Sequence, residues 1–180
     1  MKRARLVFSG SGGQGVITAA IILAEAAVIE EGMNATQSQS YGAAARGGAT
    51  RSDIIISEEE IDFPEVTSPN ILVCLTQEAY NEYASIIRPG GLLLTDSRSV
   101  KTTKKVDARQ IELPLYDTVM EQVGKPIVYN ISMLGALIGI TDIVRPGSVL
   151  EVLNKRIPAD FIALNERALD LGFALGSTIL

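Results

Sequence analysis

The chain has 180 residues, 47% of them apolar, and a formal net charge of −5. This length suits one domain with a sizeable core, and an acidic chain without a basic stripe is not expected to bind nucleic acid or an anionic membrane. With no histidine and Cys74 as the sole cysteine, an internal disulfide, the usual histidine triads, a zinc or other metal site built from thiolates and an iron–sulfur cluster needing about four thiolates are excluded.

The first predicted elements are a strand, a glycine-rich turn and a helix. Leu6 to Phe8 is an apolar run typical of a buried strand, and it is too short for the apolar part of a signal peptide. Residues 8–15 read FSGSGGQG, and apolar residues then recur at helical spacing from Gln14 to Glu31, with Gly32 suited to end the helix. We therefore expect a strand–turn–helix unit in a protein that stays in the cytoplasm.

Strands and helices continue to alternate along the chain, and the last third is helical. Further strands are predicted in NATQSQS, TRSDIIIS, NILVCL, LLLTDS and VDARQIELP, and further helices in Gln77 to Ile87, LYDTVMEQVG, NISMLGALIGI, SVLEVLNKRI and ADFIALNERALDLGFALG. Cys74 lies in an apolar strand and is expected in the core. Asn130 is interpreted as the cap of its helix, with a place in the lining of a cleft as the alternative.

This alternation predicts one α/β domain over residues 1–180: three layers, a mostly parallel central sheet with helices on both faces, and a Rossmann-like arrangement. The most apolar stretch, MLGALIGITDIV, is shorter than the roughly 20 residues that a membrane-spanning helix needs. No membrane partner is expected.

The glycine-rich turn has three interpretations. Gly10, Gly12 and Gly15 form G-x-G-x-x-G between a strand and a helix, a setting in which a phosphate can approach backbone N–H groups. A dinucleotide site also needs an acidic residue about 20 positions on, where this chain reads NATQSQS, so NAD binding is disfavoured. A Walker site is excluded because no Lys-Ser or Lys-Thr follows. The third interpretation is that the glycines only allow close packing of helix and sheet.

A second constellation is QSQSYGAAARGGATRS, residues 37–52. Arg46 is followed by two glycines and then by Arg51, so guanidinium groups and exposed backbone donors could bind a carboxylate or a phosphate. The alternatives are a solvated loop or an interface in which Arg46 pairs with a carboxylate of another protein. Composition does not choose among them.

Several segments together resemble the gamma subunit of the 2-oxoacid:ferredoxin oxidoreductases. They are GSGGQGVITAAIILAEAA, QSQSYGAAARGGATRSDIIIS, NILVCLTQEAYNEY and RPGGLLLTDS, and the likeness covers nearly the whole chain. The QSQSYG form most resembles the 2-oxoglutarate branch. Ala43 and Ala44 depart from the family pattern, in which Pro-Glu is frequent, so one interface charge is missing here.

The resemblance implies a fold of the pyruvate–ferredoxin oxidoreductase domain III type and a role in a multisubunit enzyme. Such complexes convert a 2-oxoacid and coenzyme A to acyl-CoA and carbon dioxide and pass electrons to ferredoxin. The resemblance also implies alpha, beta and ferredoxin-like delta subunits as partners, with thiamine diphosphate, magnesium and iron–sulfur clusters held by those partners. The chain alone is then inactive and supplies no catalytic residue.

The resemblance further implies that the turn and the arginine loop form the wall or lid of the coenzyme A approach. The expected contact residues are Gly10, Gly12, Gly13, Gln14, Gly15, Ser40, Tyr41, Gly42, Arg46, Gly47, Gly48 and Arg51. Two alternatives stay open, a purely structural assembly subunit and a stand-alone dinucleotide-binding reductase.

Overall fold

The computed structural model describes residues 3–40 and 48–179 and contains one six-stranded sheet with helices on both faces. The strands are β1 Arg3–Gly10, β2 Asn34–Ser40, β3 Thr50–Ser57, β4 Ile71–Cys74, β5 Gly91–Asp96 and β6 Ala108–Leu113. The helices are α1 Val16–Glu25, α2 Gln77–Tyr83, α3 Leu115–Gln122, α4 Tyr129–Thr141, α5 Pro146–Arg156 and α6 Ala159–Ser177.

The sheet has the order β2-β3-β1-β4-β5-β6 and is parallel except for β3. β3 runs antiparallel to both β1 and β2 and separates them. It pairs with β1 from Arg3 to Gly10, which is why β1 is longer than the apolar run that predicted it. The predicted mostly parallel α/β fold is confirmed, with an antiparallel strand inserted beside the first one.

Side chains that alternate along the strands form one core on each face of the sheet. Leu6 and Phe8 of β1 face the larger core, which α1 and the C-terminal helices cover. Val7 faces the smaller core, which includes Cys74 and is covered by α2 and its flanking loops. Cys74 is fully buried, as predicted.

Three predicted helix boundaries are wrong. α1 begins at Val16 rather than Gln14 because Gly15 has a φ of 73°, which is incompatible with a right-handed helix. It changes to a π-helical turn, Ala26–Glu30, before the predicted end. α2 stops at Tyr83 and tightens into a short 3-10 turn.

α4 and α6 pack in close contact because glycines line both helices. A side chain at Gly135 would overlap the backbone of Leu169, and one at Gly172 would overlap the backbone of Ser132. Gly139 and Gly176 continue the contact one turn further along. The backbones of the two helices therefore lie in direct contact, and the first turn of α4 lies beside the glycine-rich turn.

α5 is tied to the end of α1 and the following π-helical turn by charged side chains. Three ion pairs bridge the segments: Glu25 with Arg156 at 2.5 Å, Glu30 with Lys155 at 2.6 Å and Glu31 with Arg145 at 3.0 Å. Such partly exposed pairs each contribute little to stability, because water screens them. Arg156, which pairs with Glu25, ends α5 and lines the pocket described below.

Candidate functional site

The glycine-rich turn, residues 10–15 and called the elbow below, lies at the carboxyl end of β1. β1 continues into α1 on one face, whereas its parallel neighbour β4 continues into α2 on the other. The two strand ends are joined by a hydrogen bond from the Leu75 amide to the Ser9 carbonyl at 2.9 Å. In open α/β sheets, ligands bind at this kind of topological switch point. The elbow therefore occupies the position in the fold best suited to a ligand.

The elbow is shaped by its glycines and by one side chain. The Ser11 amide donates to Oε1 of Gln14 at 2.8 Å, and the Gln14 amide donates to the Ser11 carbonyl at 3.3 Å. Gly13 has a φ of 87°, and a Cβ at Gly10 would overlap the Gln14 side chain. Gly12 is different, because its φ is not left-handed and no atom of residues 3–40 or 48–179 lies within 4 Å of the position of a Cβ. The described part of the chain therefore gives no steric reason for a glycine at this exposed position.

The exposed face of the elbow offers backbone donors. Ser11, Gly12 and Gly13 are exposed, and within residues 3–40 and 48–179 no acceptor is bonded to the amides of Gly12 and Gly13. α1 has no side-chain cap and no acidic residue in its first turn. Within the described residues, no cap or acidic first-turn residue compensates the positive end of the helix dipole, which favours an anionic group such as a phosphate.

Asn130 holds the elbow from the opposite side. Its Nδ2 donates to the Gly15 carbonyl at 3.1 Å, and a Cβ at Gly15 would lie 2.6 Å from that nitrogen. The cap interpretation is wrong, since α4 begins at Tyr129 without a side-chain cap. The Tyr129 hydroxyl donates to the buried carboxylate of Asp96 at 2.9 Å and so fixes the start of α4. No local sequence signal links Asn130 to the elbow, because the partner is far away in the chain.

Pockets formed by described residues flank the elbow on two sides. The first, of about 450 Å³, lies between the elbow, the start of α4 and the α5–α6 junction, and its walls include the exposed side chains of Ile127 and Phe161. The second, of about 440 Å³, lies between the elbow and Thr50. Gly13, Gly15 and Thr18 line both. The elbow thus forms a ridge between an apolar pocket and one that adjoins β3.

The described flanks of the predicted arginine loop lie at the same edge of the sheet as the elbow. Ser40, which is exposed, ends β2 opposite Arg51, and Gly48 lies just before β3. Thr50 opens β3 directly opposite Gly10. The predicted contact residues Tyr41, Gly42, Arg46 and Gly47 lie outside the described residues.

Arg51 is engaged within its own chain. Its guanidinium makes two hydrogen bonds to Asp53, at 2.6 and 3.0 Å, and a third to the Val66 carbonyl at 2.6 Å. It also lies over the ring of Tyr83, 5.3 Å from the ring centre. These contacts place it on the α2 side of the sheet, and it lines neither pocket at the elbow. The sequence predicted a carboxylate or a phosphate as the binding partner of the arginines. The partner seen for Arg51 is a carboxylate, that of Asp53 on the same strand.

Cys74 has the environment of a core residue. Burial raises the pKa of its thiol to about 12, so the thiol is protonated at neutral pH. A protonated, inaccessible thiol is neither a nucleophile nor a metal ligand.

A comparison with protein-family models places residues 5–175 in the pyruvate ferredoxin/flavodoxin oxidoreductase family. A subunit of 2-oxoglutarate synthase, KorC of Methanocaldococcus jannaschii, is 41% identical over 179 residues, which are 98% of this chain and 96% of that protein. The chain belongs to the gamma-subunit family of the 2-oxoacid:ferredoxin oxidoreductases. The resemblance seen in the sequence is thereby confirmed.

Solved structures agree with this assignment. The gamma subunit of a keto/oxoacid ferredoxin oxidoreductase from Geobacter sulfurreducens has a TM-score of 0.90 and 38% identity, over 99% of this chain and 98% of that one. A 2-oxoglutarate:ferredoxin oxidoreductase from Magnetococcus marinus, solved with 2-oxoglutarate, coenzyme A and succinyl-CoA, has a TM-score of 0.88 and 22% identity. The match covers all of this gamma subunit but 32% of that longer chain, and it shows the shared fold.

Like its relatives, this gamma subunit is part of an oxidoreductase, as predicted. None of the helices in residues 3–40 and 48–179 combines the length and the hydrophobicity of a membrane-spanning segment.

Proposed function

We propose that this chain is the gamma subunit of a 2-oxoglutarate:ferredoxin oxidoreductase and that its elbow forms part of the coenzyme A approach. The complex would convert 2-oxoglutarate and coenzyme A to succinyl-CoA and carbon dioxide, with reduction of ferredoxin. The observation that supports the coenzyme A role best is the exposed Gly12–Gly13 backbone at the switch point, whose amides have no acceptor among the described residues and which precedes a helix without a side-chain cap there. These donors suit the phosphates of coenzyme A.

The chain's own residues bind and orient in this proposal, and they carry out no chemical step. Thiamine diphosphate with magnesium would supply the decarboxylation chemistry and iron–sulfur clusters would carry electrons, all on the alpha, beta and ferredoxin-like delta subunits. The single buried thiol of Cys74 does not fit cluster ligation. The cytoplasmic location stays a prediction.

The two alternatives differ in how they account for the elbow. A purely structural role explains Gly10 and Gly15, where a side chain would collide with Gln14 and Asn130, but it gives no reason for glycine at the open position 12. A dinucleotide-binding reductase is disfavoured because β3 separates β2 from β1, and β2 contains no carboxylate for a ribose.

The experiment is to co-express the chain with its partner subunits and assay the purified complex. We expect kcat/KM with 2-oxoglutarate to exceed that with pyruvate or a branched 2-oxoacid, and the reverse order would refute the substrate assignment. Arg46→Ala tests the loop separately: we expect a raised KM for coenzyme A or weaker assembly. If both are unchanged, the loop has no part in the mechanism.

A further inference from the structure

The end of the sheet opposite the elbow carries a group of arginines around two adjoining pockets. The pockets measure about 450 and 350 Å³, and Arg88 lines both. Arg109 lines the first pocket, and Arg3 and Arg5 line the second together with Phe63. We call these five residues the arginine surface. β1 runs from this surface to the elbow, and its 8 residues span roughly 26 Å.

The arginines of this surface make no ion pairs within the described residues. Glu65 is the one carboxylate among the described side chains lining the two pockets. Arg3 donates to the carbonyl of Glu60, and Arg109 donates to the carbonyl of Ile179, both neutral acceptors. On a chain with a net charge of −5, such a group of arginines indicates a local binding site for a negatively charged partner.

An apolar side chain lies within the same surface. Phe63 is 66% exposed and belongs to neither of the two cores. Aromatic and arginine side chains are the types most enriched in protein–protein interfaces, where the aromatic ring fills a pocket and the guanidinium pairs with a carboxylate. A small anion would use the arginines but would leave Phe63 in water.

We propose that the arginine surface docks an acidic segment of another subunit of the oxidoreductase. Charge complementarity selects a partner rich in Asp and Glu, and the exposed Phe63 selects one that also presents an apolar recess. In the Magnetococcus marinus relative this fold makes up about a third of a longer chain, so further protein accompanies it. The inference rests on membership of the family and is independent of any coenzyme A contact at the elbow.

Charge reversal in the complete complex tests the proposal. Arg88 and Arg109 are exposed, so the double variant Arg88→Glu/Arg109→Glu is expected to fold, and its thermal unfolding is compared with wild type. Arg167→Glu, which reverses a single exposed charge on α6, is the control. We expect the double variant to bind the remaining subunits at least about tenfold more weakly in sedimentation at physiological salt, with the control unchanged. Equal affinity in all three proteins overturns the proposal.

A second measurement serves if the double variant unfolds, and it identifies the partner. A photoreactive phenylalanine analogue replaces Phe63 in the wild-type background, and the purified complex is irradiated and analysed by mass spectrometry. We expect a crosslink to an Asp- and Glu-rich peptide of another subunit. A crosslink to a second copy of this chain, to a peptide without acidic residues, or to no protein overturns the proposal.

Discussion

The side-chain amide of Asn130 donates from Nδ2 to the carbonyl of Gly15 at 3.1 Å, although 115 residues separate them. This bond connects the first turn of α4 to the residue from which α1 starts. Because Asp96 holds the neighbouring Tyr129 at 2.9 Å, the elbow is anchored through α4 to the carboxyl end of β5. The backbone donors of the elbow are thereby held in place before any ligand arrives.

Asn130→Asp is expected to loosen the elbow. It replaces the donor with a carboxylate that faces the Gly15 carbonyl, and losing a buried hydrogen bond costs about 1–3 kcal/mol. We expect faster hydrogen exchange at the amides of residues 11–15. Asn165→Asp is the control, because Asn165 is equally buried and its Nδ2 donates to the Phe161 carbonyl at 2.8 Å within α6. If both variants change exchange at the elbow equally, Asn130 has no special connection to it.

Gly172→Ala is expected to destabilise the fold. The added Cβ would overlap the Ser132 carbonyl, and because backbone must move, we expect a loss near the upper end of overpacking costs, about 3 kcal/mol. Gly147→Ala is the matched control on exposed, open helix, where alanine is favoured by up to about 1 kcal/mol. Urea denaturation measures both. Similar free energies of unfolding for the two variants would contradict the close α4–α6 contact.

Local sequence pattern predicted most strands and helices, but long-range pairing was beyond it. The residues of TRSDIIIS favour a strand but do not indicate whether it runs parallel or antiparallel to its neighbours. Its antiparallel insertion between β1 and β2 could therefore not be predicted. The elbow was found because glycines between strand and helix are a local signal, whereas Asn130 resembles an ordinary cap. Arg51 was expected at the elbow, yet alternation along β3 puts it on the opposite face with Asp53.

One signal was present and overlooked. Gly135 and Gly139, and Gly172 and Gly176, recur four residues apart within helical segments, a spacing that places both glycines of a pair on one face. Two such faces indicate a close helix pair. The α4–α6 contact could therefore have been predicted.

Acid is expected to weaken the attachment of α5. The hydrogen bond from Ser148 and then those from Arg145 lower the pKa of Glu31 from 4.5 to about 2. A carboxylate with a lowered folded-state pKa stabilises the protein above pH 4.5, and this stability is lost as the pH falls towards 2.

Glu31→Gln should therefore be less stable than wild type at pH 7 and should lose less stability between pH 4.5 and 2. Chemical denaturation across this range measures the difference. Glu121→Gln, on the exposed side of α3, should follow the wild-type curve. A Glu31→Gln curve parallel to wild type would contradict the assigned pKa.

Cys74 is expected to resist alkylation in the folded protein. Its thiol is fully buried and burial raises its pKa to about 12, so the reactive thiolate is scarce and inaccessible. We expect no modification by iodoacetamide at pH 8 in native buffer and complete modification in denaturant, followed by mass spectrometry. Labelling of the native protein at the rate of a free thiol would show that Cys74 is outside the core.

The coenzyme A role of the elbow is tested most directly at Gly12. Gly12→Leu adds a side chain on the exposed face of the elbow, where the described residues leave room for a Cβ. Gly147→Leu adds the same side chain at a similarly open position on α5. We expect Gly12→Leu to raise the KM for coenzyme A at least about tenfold, or about 1.4 kcal/mol, while the KM for the 2-oxoacid and subunit assembly match those of Gly147→Leu. An unchanged KM for coenzyme A in the fully assembled Gly12→Leu complex would contradict the proposal.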